Sequence, residues 1–354
     1  MNKTALALLE ALLNAPSPSG SEGPVRRIFC DALQGIADEV RVDVHGNAIA
    51  TINPEGSPHV MLAGHMDEIG FQICHVDEHG LMRFRAIGGH DLRTISGRRV
   101  HIHTADGPML GVIGQRPVHL LKDRKGDSAP KISDFWIDAG FTGKKAALKA
   151  VQIGDPVTYV EGFTILRDRV ALARAFDNRV GAFVVAQTLR ELKGTKGLKA
   201  RVTAVGTVQE EIGLRGAVTS TFGLAPDAGI AVDVTFATDN PGGDAKEIGE
   251  VKLGGGPVIT RGPNVNPPLF ELLRSTAIKQ RLPVQYRSAP GGTGTDANAM
   301  QISRAGVATA LIGIPNRYMH SPVELCHLDD IQGAVNLLAA TLRRLDGKTS
   351  FIPS

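Results

Sequence analysis

Four short apolar runs, separated by longer amphipathic segments, constrain the fold of this chain more than any other feature of its sequence. Each run is continuous rather than alternating, which is typical of strands buried on both faces of a sheet. The runs are residues 59–63, 201–208, 229–234 and 309–314. Helices are predicted over residues 178–193, 268–280 and 329–345, where apolar side chains recur at i, i+3 and i+4. Alternating strands and helices predict an α/β domain, with a mostly parallel sheet and helices on both of its faces.

A different pattern occupies the middle of the chain. Between about residues 71 and 165, short segments alternate polar and apolar side chains, and turn signals such as DEHG at 77–80 separate them. This pattern predicts a small β-rich, barrel-like domain inserted into the α/β domain. We therefore predict two domains, one formed by residues 1–69 and 166–354 and the other by residues 70–165. The polar stretch 122–133 is predicted to be a mobile loop.

The N-terminal segment resembles a secretory signal, because Lys3 precedes an apolar run. Glu10 interrupts that run, however, and leucines such as Leu9 and Leu13 recur at helical spacing until Pro16. An amphipathic first helix fits this pattern better. No stretch of the sequence reaches the roughly 18 to 20 apolar residues that a membrane span needs. We expect a cytoplasmic protein.

The charge balance and the cysteine content exclude several classes of partner and of site. The 39 basic and 36 acidic residues nearly cancel, so the charge gives no support to binding of nucleic acid or of an anionic membrane. A small, neutral partner is the expectation. The three cysteines, Cys30, Cys74 and Cys326, are too few and too far apart for a disulfide framework or a thiolate zinc site.

Acidic and histidine residues follow the predicted strands at their carboxyl ends, and one further carboxylate stands at the start of a predicted helix. Because ligands bind outside the carboxyl ends of the strands in an open parallel sheet, we expect these side chains to converge. In chain order the candidates are His65, Asp67, Asp177, Glu210, Glu211, Asp233 and His320.

The chemistry of this set suits divalent metal ions. Histidine and carboxylate ligands fit zinc, cobalt or manganese, and two ions about 3.5–4 Å apart need about five ligands, one of them a bridging carboxylate. Five candidates supply that number, namely His65, Asp177, Glu211, Asp233 and His320. Glu210 and Glu211 are neighbours whose side chains diverge, so one can ligate a metal while the other acts as a general base. Asp67 could accept the second imidazole N–H of His65 and orient the ring.

Each candidate also has a simpler explanation when it is taken alone. Asp177 could cap a helix, Glu210 and Glu211 could be solvated charges at a strand end, and His65 could be a structural histidine. Asp233 is harder to explain, because a carboxylate within an apolar strand is costly to bury unless it is paired or ligated. The recurrence of the pattern at four strand ends and one helix start favours the metal site.

Other motifs favour no competing chemistry. The Gly-rich segment 290–300 lacks the Gly-Lys-Ser/Thr ending of a P-loop and is predicted to lead into a helix capped by Asp296. His101 and His103 share one face of a predicted strand without an apparent carboxylate partner. Neither a GxSxG motif nor a supported Cys–His arrangement is present, so covalent acyl-enzyme chemistry has no support.

Seven motifs occur in order along the chain: SPSGSEGPV, AGHMDEIG, AFDNRVGA, VQEEIGLRGA, AVDV, GTGTDAN and YMHSPVE. With these motifs the chain closely resembles the M42 family of metallo-aminopeptidases, the group of glutamyl and tetrahedral aminopeptidases, over essentially its whole length. The resemblance implies a zinc-peptidase-like α/β domain. It also implies that the β-rich domain between His65 and Asp177 contributes to dimers and commonly to a hollow tetrahedral dodecamer. The related M20 enzymes carry their extra domain after the glutamate pair, and M28 enzymes lack the large insertion.

Motif matching also implies a role for each candidate. His65 and Asp233 would hold one metal ion, Glu211 and His320 would hold the other, and Asp177 would bridge the two. Glu210 would be the catalytic base, and Asp67 would orient His65. The two ions are expected to be zinc or cobalt, with manganese as an alternative.

The implied activity is that of an aminopeptidase, which removes N-terminal residues from short peptides with a water activated by two metal ions. A carboxypeptidase or an N-acyl amino acid deacylase on the same scaffold is the alternative. A glycosidase is disfavoured, because the carboxylates are committed to metals and Trp136 is the single tryptophan available for stacking on sugars. A non-catalytic assembly protein would have no need for a free Glu210 beside Glu211.

Overall fold

The computed structural model describes residues 1–117, 119 and 129–353. Residues 122–128 of the predicted loop lie outside the described residues. The helices of the described part are α1 (Lys3–Asn14), α2 (Gly23–Leu33), α3 (Lys144–Ala150), α4 (Phe176–Leu192), α5 (Arg215–Leu224), α6 (Ala245–Ile248), α7 (Pro267–Gln280), α8 (Asp296–Gln301) and α9 (Leu328–Leu342). Its strands are β1 (Glu39–Val42), β2 (Ala48–Ile52), β3 (His59–His65), β4 (Gly70–Val76), β5 (Met82–Ile87), β6 (Arg99–Thr104), β7 (Gly107–Gln115), β8 (Phe135–Asp138), β9 (Pro156–Tyr159), β10 (Thr164–Ile165), β11 (Val170–Ala173), β12 (Arg201–Thr207), β13 (Ala228–Phe236), β14 (Val258–Arg261), β15 (Gln285–Ser288), β16 (Ala308–Arg317) and β17 (Glu324–His327).

The four predicted buried strands lie side by side at the centre of a large sheet. Their order is β12-β3-β13-β16, and each neighbouring pair is parallel. The predicted α/β fold is confirmed. The flanking strands differ from the centre, because β1 and β2 on one side and β17, β11 and β10 on the other pair antiparallel. These flanking strands are two to five residues long, which is too short for a periodic pattern in the sequence.

Helices cover both faces of the large sheet. Alternate residues of β3 show this directly, since Val60 and Leu62 pack in one apolar cluster and Met61 and Ala63 in another. The first cluster also takes side chains from α1, α2, α4, α7 and α9, and the second takes them from α5 and α8. Helix α1 buries one side of its surface, as its amphipathic pattern predicts. Among the described residues, no helix is both long enough and apolar enough to cross a membrane.

A closed six-stranded barrel is inserted into the chain between β3 and β10, which both belong to the large sheet. Its strands follow the order β4-β5-β8-β7-β6-β9 and run from Gly70 to Tyr159. The barrel has an apolar core of its own, which includes Phe71, Val100 and Ile137. The predicted barrel-like insertion is therefore present. Strand β10, just before the predicted boundary at residue 166, belongs to the large sheet, because its two residues pair with β11.

Two glycines allow helix α4 to approach the centre of the sheet. A Cβ atom on Gly64 would lie 2.3 Å from the carbonyl carbon of Gly181, and one on Gly181 would lie 2.3 Å from the carbonyl oxygen of Val232. Any side chain at either position would push α4 away from β3 and β13. The close approach brings Asp177, near the start of α4, to His65 at the end of β3.

Candidate metal centre

The predicted site residues meet at the carboxyl edge of the parallel strands. His65 is the last residue of β3, Asp233 lies near the end of β13, and His320 lies in the loop after β16. Glu210 and Glu211 follow β12. Together with Asp177, they line one cavity of about 400 Å³. These side chains therefore converge outside the carboxyl ends of the parallel strands, where the sequence predicts them.

Asp177 lies between the two histidines. Its Oδ1 is 3.1 Å from Nε2 of His65, and its Oδ2 is 3.2 Å from Nε2 of His320. On the His320 side, Oε2 of Glu211 is 3.4 Å from the same ring nitrogen. On the other side, Oε2 of Glu210 and Oδ1 of Asp233 are 3.7 Å and 3.9 Å from Nε2 of His65. The cluster thus has two halves that share one carboxylate.

Two sets of three side chains in this cluster, which share His65, have ligand atoms close enough together to hold a metal ion. They are His65 with Glu210 and Asp233, and His65 with Asp177 and Glu211, and in each group the ligand atoms lie within 4.8 Å of one another. Oε1 of Glu211 is buried without a hydrogen-bond partner among the described residues. A buried carboxylate oxygen without a donor is costly unless a cation satisfies it. The imidazole and carboxylate donors fit zinc, cobalt or manganese.

Crowding of carboxylates raises several pKa values in the cavity. Burial, and then the charges of Asp233, Asp296 and Asp177, raise the pKa of Glu210 to about 9 in spite of the nearby His65. Burial and the charge of Asp177 also raise the pKa of Glu211 well above its usual range. Such repulsion is relieved when divalent cations lie among the carboxylates.

At the centre of the cluster, by contrast, the shifts in pKa favour the charged forms of Asp177 and His65. Burial alone would raise the pKa of Asp177, but hydrogen bonds with His320 and His65, and their charges, lower it below its usual range. Burial would lower the pKa of His65, but Glu210, Asp177 and Asp67 raise it well above its usual value. Asp177 is therefore the carboxylate of the cavity that most readily stays ionised.

Asp177 is not a helix cap, which was the simpler explanation of its position. The N-cap of α4 is Ala175, which makes no side-chain capping bond. Asp177 and Asn178 have non-helical backbone angles, and the peptide bond between them is cis. The carboxylate faces the two histidines instead, and its backbone N–H is bonded by Glu324.

Left-handed backbone occurs beside the cluster at residues other than glycine. Gln209, directly before the glutamate pair, has a φ of 55°, and His320 has a φ of 59°. Side chains with a Cβ rarely adopt this conformation, and it is typical of places where the surrounding structure holds a functional group in position.

Asp67 is buried beside the cluster, where it contacts Ser19, His65 and the backbone of the glutamate pair. Its carboxylate accepts hydrogen bonds from Oγ of Ser19 at 2.6 Å and from the backbone N–H groups of Glu210 and Glu211 at 3.0 and 3.1 Å. Its Oδ1 is 3.4 Å from Nδ1 of His65, and its backbone oxygen is 3.2 Å from the same nitrogen. Asp67 therefore contacts the outer side of the imidazole and also fixes the backbone of both glutamates.

Sequence reasoning missed Glu324. This residue is 2% exposed, and its carboxylate accepts the backbone N–H of Asp177 at 2.8 Å and that of His320 at 3.2 Å. Glu324 closes the YMHSPVE motif, so the motif contained the residue without indicating what it does. Ser19, which bonds Asp67, was contained in SPSGSEGPV in the same way.

The prediction that Asp296 caps α8 is wrong. Thr295 is the N-cap, and its hydroxyl accepts the backbone N–H of Ala297. Asp296 is buried instead, and its Oδ2 accepts a hydrogen bond of 2.6 Å from Oγ1 of Thr207. Its pKa is raised to about 6, chiefly by burial. Asp296 therefore belongs to the acidic surroundings of the cavity.

A parallel α/β domain with possible metal ligands at its carboxyl edge, and a barrel inserted after the first histidine, is the architecture that the resemblance to metallo-aminopeptidases predicts. The sequence model of the M42 peptidase family, described as M42 glutamyl aminopeptidase, matches residues 46–337 of this chain. The chain belongs to the M42 family, and the resemblance carried by its motifs is confirmed.

Individual relatives are similar to this chain over almost their full length. The lysyl aminopeptidase of Pyrococcus furiosus is 38% identical over 342 residues, which cover 96% of each chain. The crystal structure of a TET aminopeptidase from a marine-sediment Thaumarchaeota archaeon is 34% identical and superposes with a TM-score of 0.93 over 98% of each chain. The TET1 peptidase of Pyrococcus horikoshii, which can assemble into a tetrahedron or a large octahedral shell, is 31% identical with a TM-score of 0.86 over 96% of this chain and all of that one.

Proposed function

We propose that this protein is a metal-dependent aminopeptidase that removes N-terminal residues from short peptides, with two divalent ions and Glu210 as general base. The observation that carries the proposal is the position of Asp177, whose two oxygens face His65 and His320 at 3.1 and 3.2 Å. Membership of the M42 family supports the reaction class.

The ligand set follows from the two halves of the cluster. Asp177 would bridge the ions, because each of its oxygens already faces a different histidine. His65 and Asp233 would complete one site, and Glu211 and His320 would complete the other. The unpartnered oxygen of Glu211 supports its role as a ligand. Zinc or cobalt is the expected metal, with manganese as an alternative.

Bound divalent ions would supply Lewis acidity that lowers the pKa of a water molecule and polarises the peptide carbonyl. Glu210 then accepts a proton from the water that attacks the carbonyl carbon of the first residue. As the C–N bond breaks, Glu210 returns that proton to the leaving amine, so the glutamate is unchanged at the end of the cycle.

The surroundings of Glu210 support its role as the base. Its side chain lines the cavity, while its backbone N–H is held by Asp67 at 3.0 Å. Burial raises the pKa of Glu210, and once bound cations relieve the repulsion from the neighbouring carboxylates, its ionised side chain is a stronger proton acceptor than an exposed glutamate. Asp67 would be the positioning residue for His65 and for both glutamates.

We also propose that the inserted domain, predicted over residues 70–165 and containing the barrel, serves self-association into dimers and a tetrahedral dodecamer. The assembly of the TET1 relative and the similarity over all of its chain support this proposal. Light scattering tests it, since a dodecamer has twelve times the 37.5 kDa mass of one chain. A single species of monomer mass at micromolar concentration would contradict it.

A panel of aminoacyl anilides tests the activity. The protein is first stripped with a chelator and then assayed alone and with zinc, cobalt or manganese. Hydrolysis that is lost on chelation and restored by metal is the expected result. Cleavage of a peptide with a free amine, but not of the same peptide acetylated at its N-terminus, separates an aminopeptidase from a carboxypeptidase or a deacylase. No hydrolysis with any of the three metals would contradict the proposal.

A further inference from the structure

Four consecutive backbone N–H groups, directly after β12, are bound by side chains from other parts of the chain. The donors are the N–H groups of residues 208–211. Their acceptors, in the same order, are Oδ1 of Asn47, Oε1 of Glu22 and the two carboxylate oxygens of Asp67, at distances between 3.0 and 3.2 Å. Three separate segments of the chain therefore fix the backbone that carries the glutamate pair.

Glu22 is the acceptor that stability explains least. The residue is 5% exposed, and its Oε1 accepts a second hydrogen bond, of 2.8 Å, from the backbone N–H of Gly20. Burial, and then the charge of Asp67, raise the pKa of Glu22, and only backbone N–H groups lower it. Burial of a carboxylate without a neighbouring cation costs free energy. A gain in the stability of the fold therefore does not account for a glutamate at this position.

Capping of α2 is the simpler explanation of Glu22. The residue occupies the N-cap position, but its side chain makes no capping hydrogen bond. Its Oε1 instead accepts the N–H of Gly20 and that of Gln209, which is 187 residues away in the sequence. The carboxylate therefore joins the loop before α2 to the residue that precedes the glutamate pair.

Gln209 has a backbone conformation that needs such support. Its φ of 55° lies in the left-handed region, which is unfavourable for a residue with a Cβ atom. The turn at Gln209 redirects the chain after β12, so that Glu210 lines the cavity with Oε2 3.7 Å from Nε2 of His65. If Gln209 relaxed to an ordinary φ, the backbone of Glu210 would rotate and its side chain would leave this position.

The loop that carries Glu22 is also attached to the chain around Asp67. Oγ of Ser19 donates a hydrogen bond of 2.6 Å to Asp67, and a parallel bridge pairs Pro18 with Glu68. Glu22 and Asp67, which bind consecutive N–H groups, are therefore fixed relative to each other. Movement of the loop away from Gln209 would break these contacts as well.

We propose that Glu22 is a positioning residue for catalysis, which holds Gln209 in its left-handed conformation and so directs Glu210 into the cavity. This inference rests on the proposed role of Glu210 as general base. Glu22 is not among the described residues that line the cavity, so its effect on turnover passes through the backbone of Gln209.

Two substitutions separate the reach of the side chain from its charge. E22Q keeps the length and one acceptor oxygen but removes the charge, whereas E22D keeps the charge but is one methylene shorter. The assay uses metal-loaded protein and the anilide that the wild type cleaves fastest. We expect E22D to lower kcat about 10- to 100-fold with KM changed less than about threefold, as loss of a charge-assisted hydrogen bond allows. E22Q should retain at least about a third of the kcat, because its oxygen still reaches the N–H.

Two outcomes of this comparison would overturn the inference. Wild-type kcat in folded E22D would remove the positioning role, and a larger loss in folded E22Q than in E22D would assign the effect to charge instead. E210Q, assayed in parallel, separates this inference from the proposed function. Full activity of E210Q would overturn both, whereas loss of activity in E210Q but not in E22D would overturn the role of Glu22 alone.

Glycine and alanine at residue 209 test the backbone step directly. Both remove the side chain of Gln209 beyond Cβ, but only glycine adopts the left-handed conformation without strain. The double variant E22D/Q209G should therefore regain at least about fivefold in kcat over E22D/Q209A, as the usual preference of glycine for this conformation allows. Equal kcat in the two double variants would overturn the conformational role.

Hydrogen exchange of the metal-stripped protein gives a measurement that does not depend on activity. We expect E22D to accelerate exchange of the N–H groups of residues 209–211 at least about tenfold, with E22Q close to the wild type. Unchanged exchange in E22D would overturn the proposal. D330N is the matched control, since Asp330 is also buried and accepts two backbone N–H groups, those of Gly254 and Gly256 at 2.8 and 2.7 Å. It should accelerate exchange at those two glycines and leave residues 209–211 and kcat unchanged, and an equal loss of kcat in D330N would overturn the assignment to Glu22.

Discussion

The side chain of Glu324 fixes the backbone of Asp177, because Oε2 of Glu324 accepts a hydrogen bond of 2.8 Å from the backbone N–H of Asp177. The other oxygen, Oε1, accepts the N–H of His320 at 3.2 Å. One buried carboxylate at the start of β17 therefore fixes two residues that approach each other within 3.2 Å from separate elements of the fold. The spacing between those two proposed ligands depends on both acceptor oxygens of Glu324.

Replacement of Glu324 by glutamine tests this dependence. The amide keeps one acceptor oxygen, but its NH2 group would face a backbone N–H donor. We expect E324Q to weaken zinc binding about 10- to 100-fold, the range typical of residues that orient metal ligands. Competition with a chromogenic chelator measures the affinity. The control is E271Q, on the exposed side of α7, and equal zinc affinity in folded E324Q and wild type would argue against the positioning role.

Glu210 and Glu211 are adjacent in sequence, but we expect substitution of each one by glutamine to have a different effect. Glu211 contacts His320 and has the buried, unpartnered oxygen, so E211Q should lose one of the two bound ions. E210Q should keep both ions and lose about 10²- to 10⁴-fold in kcat, as removal of a general base does. Metal content by mass spectrometry and kcat on one anilide measure the two effects. Loss of metal in E210Q with retention in E211Q would contradict the prediction, because it would make Glu210 the metal ligand and leave Glu211 as the base.

The general position of the site was predictable from sequence because of one physical regularity. Buried parallel strands have long apolar runs, and the residues that follow them must lie at the same edge of the sheet. The positions of His65, Asp233 and the glutamate pair follow from that regularity alone. The barrel could also be predicted, since its alternating pattern ends at the amphipathic sequence of α4.

The supporting residues were not predictable, because nothing periodic marks them. Glu324 begins a four-residue strand that pairs antiparallel with β11 and β16, and the two residues that Glu324 binds lie 147 and 4 residues away in the sequence. Such contacts depend on how the edges of the sheet fold around its centre, which a local pattern does not encode. Asp296 was assigned to a cap for the same reason, since its buried partner Thr207 is distant in sequence.

His59 is expected to reduce stability in mild acid. The side chain is buried at the start of β3, with Nε2 3.0 Å from Oγ1 of Thr203, and burial lowers its pKa to about 4. The unfolded chain therefore binds a proton near pH 6.5 that the folded chain binds only near pH 4. Above pH 6.5 both states are neutral and the group has no effect, whereas between pH 6.5 and 4 the free energy of unfolding decreases.

Urea denaturation of wild type and H59Q from pH 7.5 to pH 4.5 measures this effect. Both proteins are kept in the same metal-stripped state, so that changes in metal binding do not contribute. We expect the free energy of unfolding to fall less steeply with acid in H59Q. H79Q, which changes an exposed histidine in the turn after β4, is the control. Parallel curves for H59Q and wild type would contradict the prediction.

Substitution of Gly64 by alanine tests the close approach of α4 to the sheet. The added Cβ would lie 2.3 Å from the carbonyl carbon of Gly181 and 2.5 Å from the backbone nitrogen of Ala182, so the helix must move. We expect G64A to lower the free energy of unfolding by about 1 to 3 kcal/mol, as overpacking does. Because the start of α4 carries Asp177, kcat should fall together with stability.

The matched control for G64A is Gly223→Ala. Gly223 lies on α5, where an added Cβ would meet nothing within 4 Å. Alanine is the better helix former, so this substitution should raise the free energy of unfolding by up to about 1 kcal/mol and leave turnover unchanged. Urea denaturation and anilide kinetics on both variants therefore give shifts of opposite sign for the same chemical change. If G64A were as stable and as active as the wild type, the contact between β3 and α4 would not determine the position of Asp177.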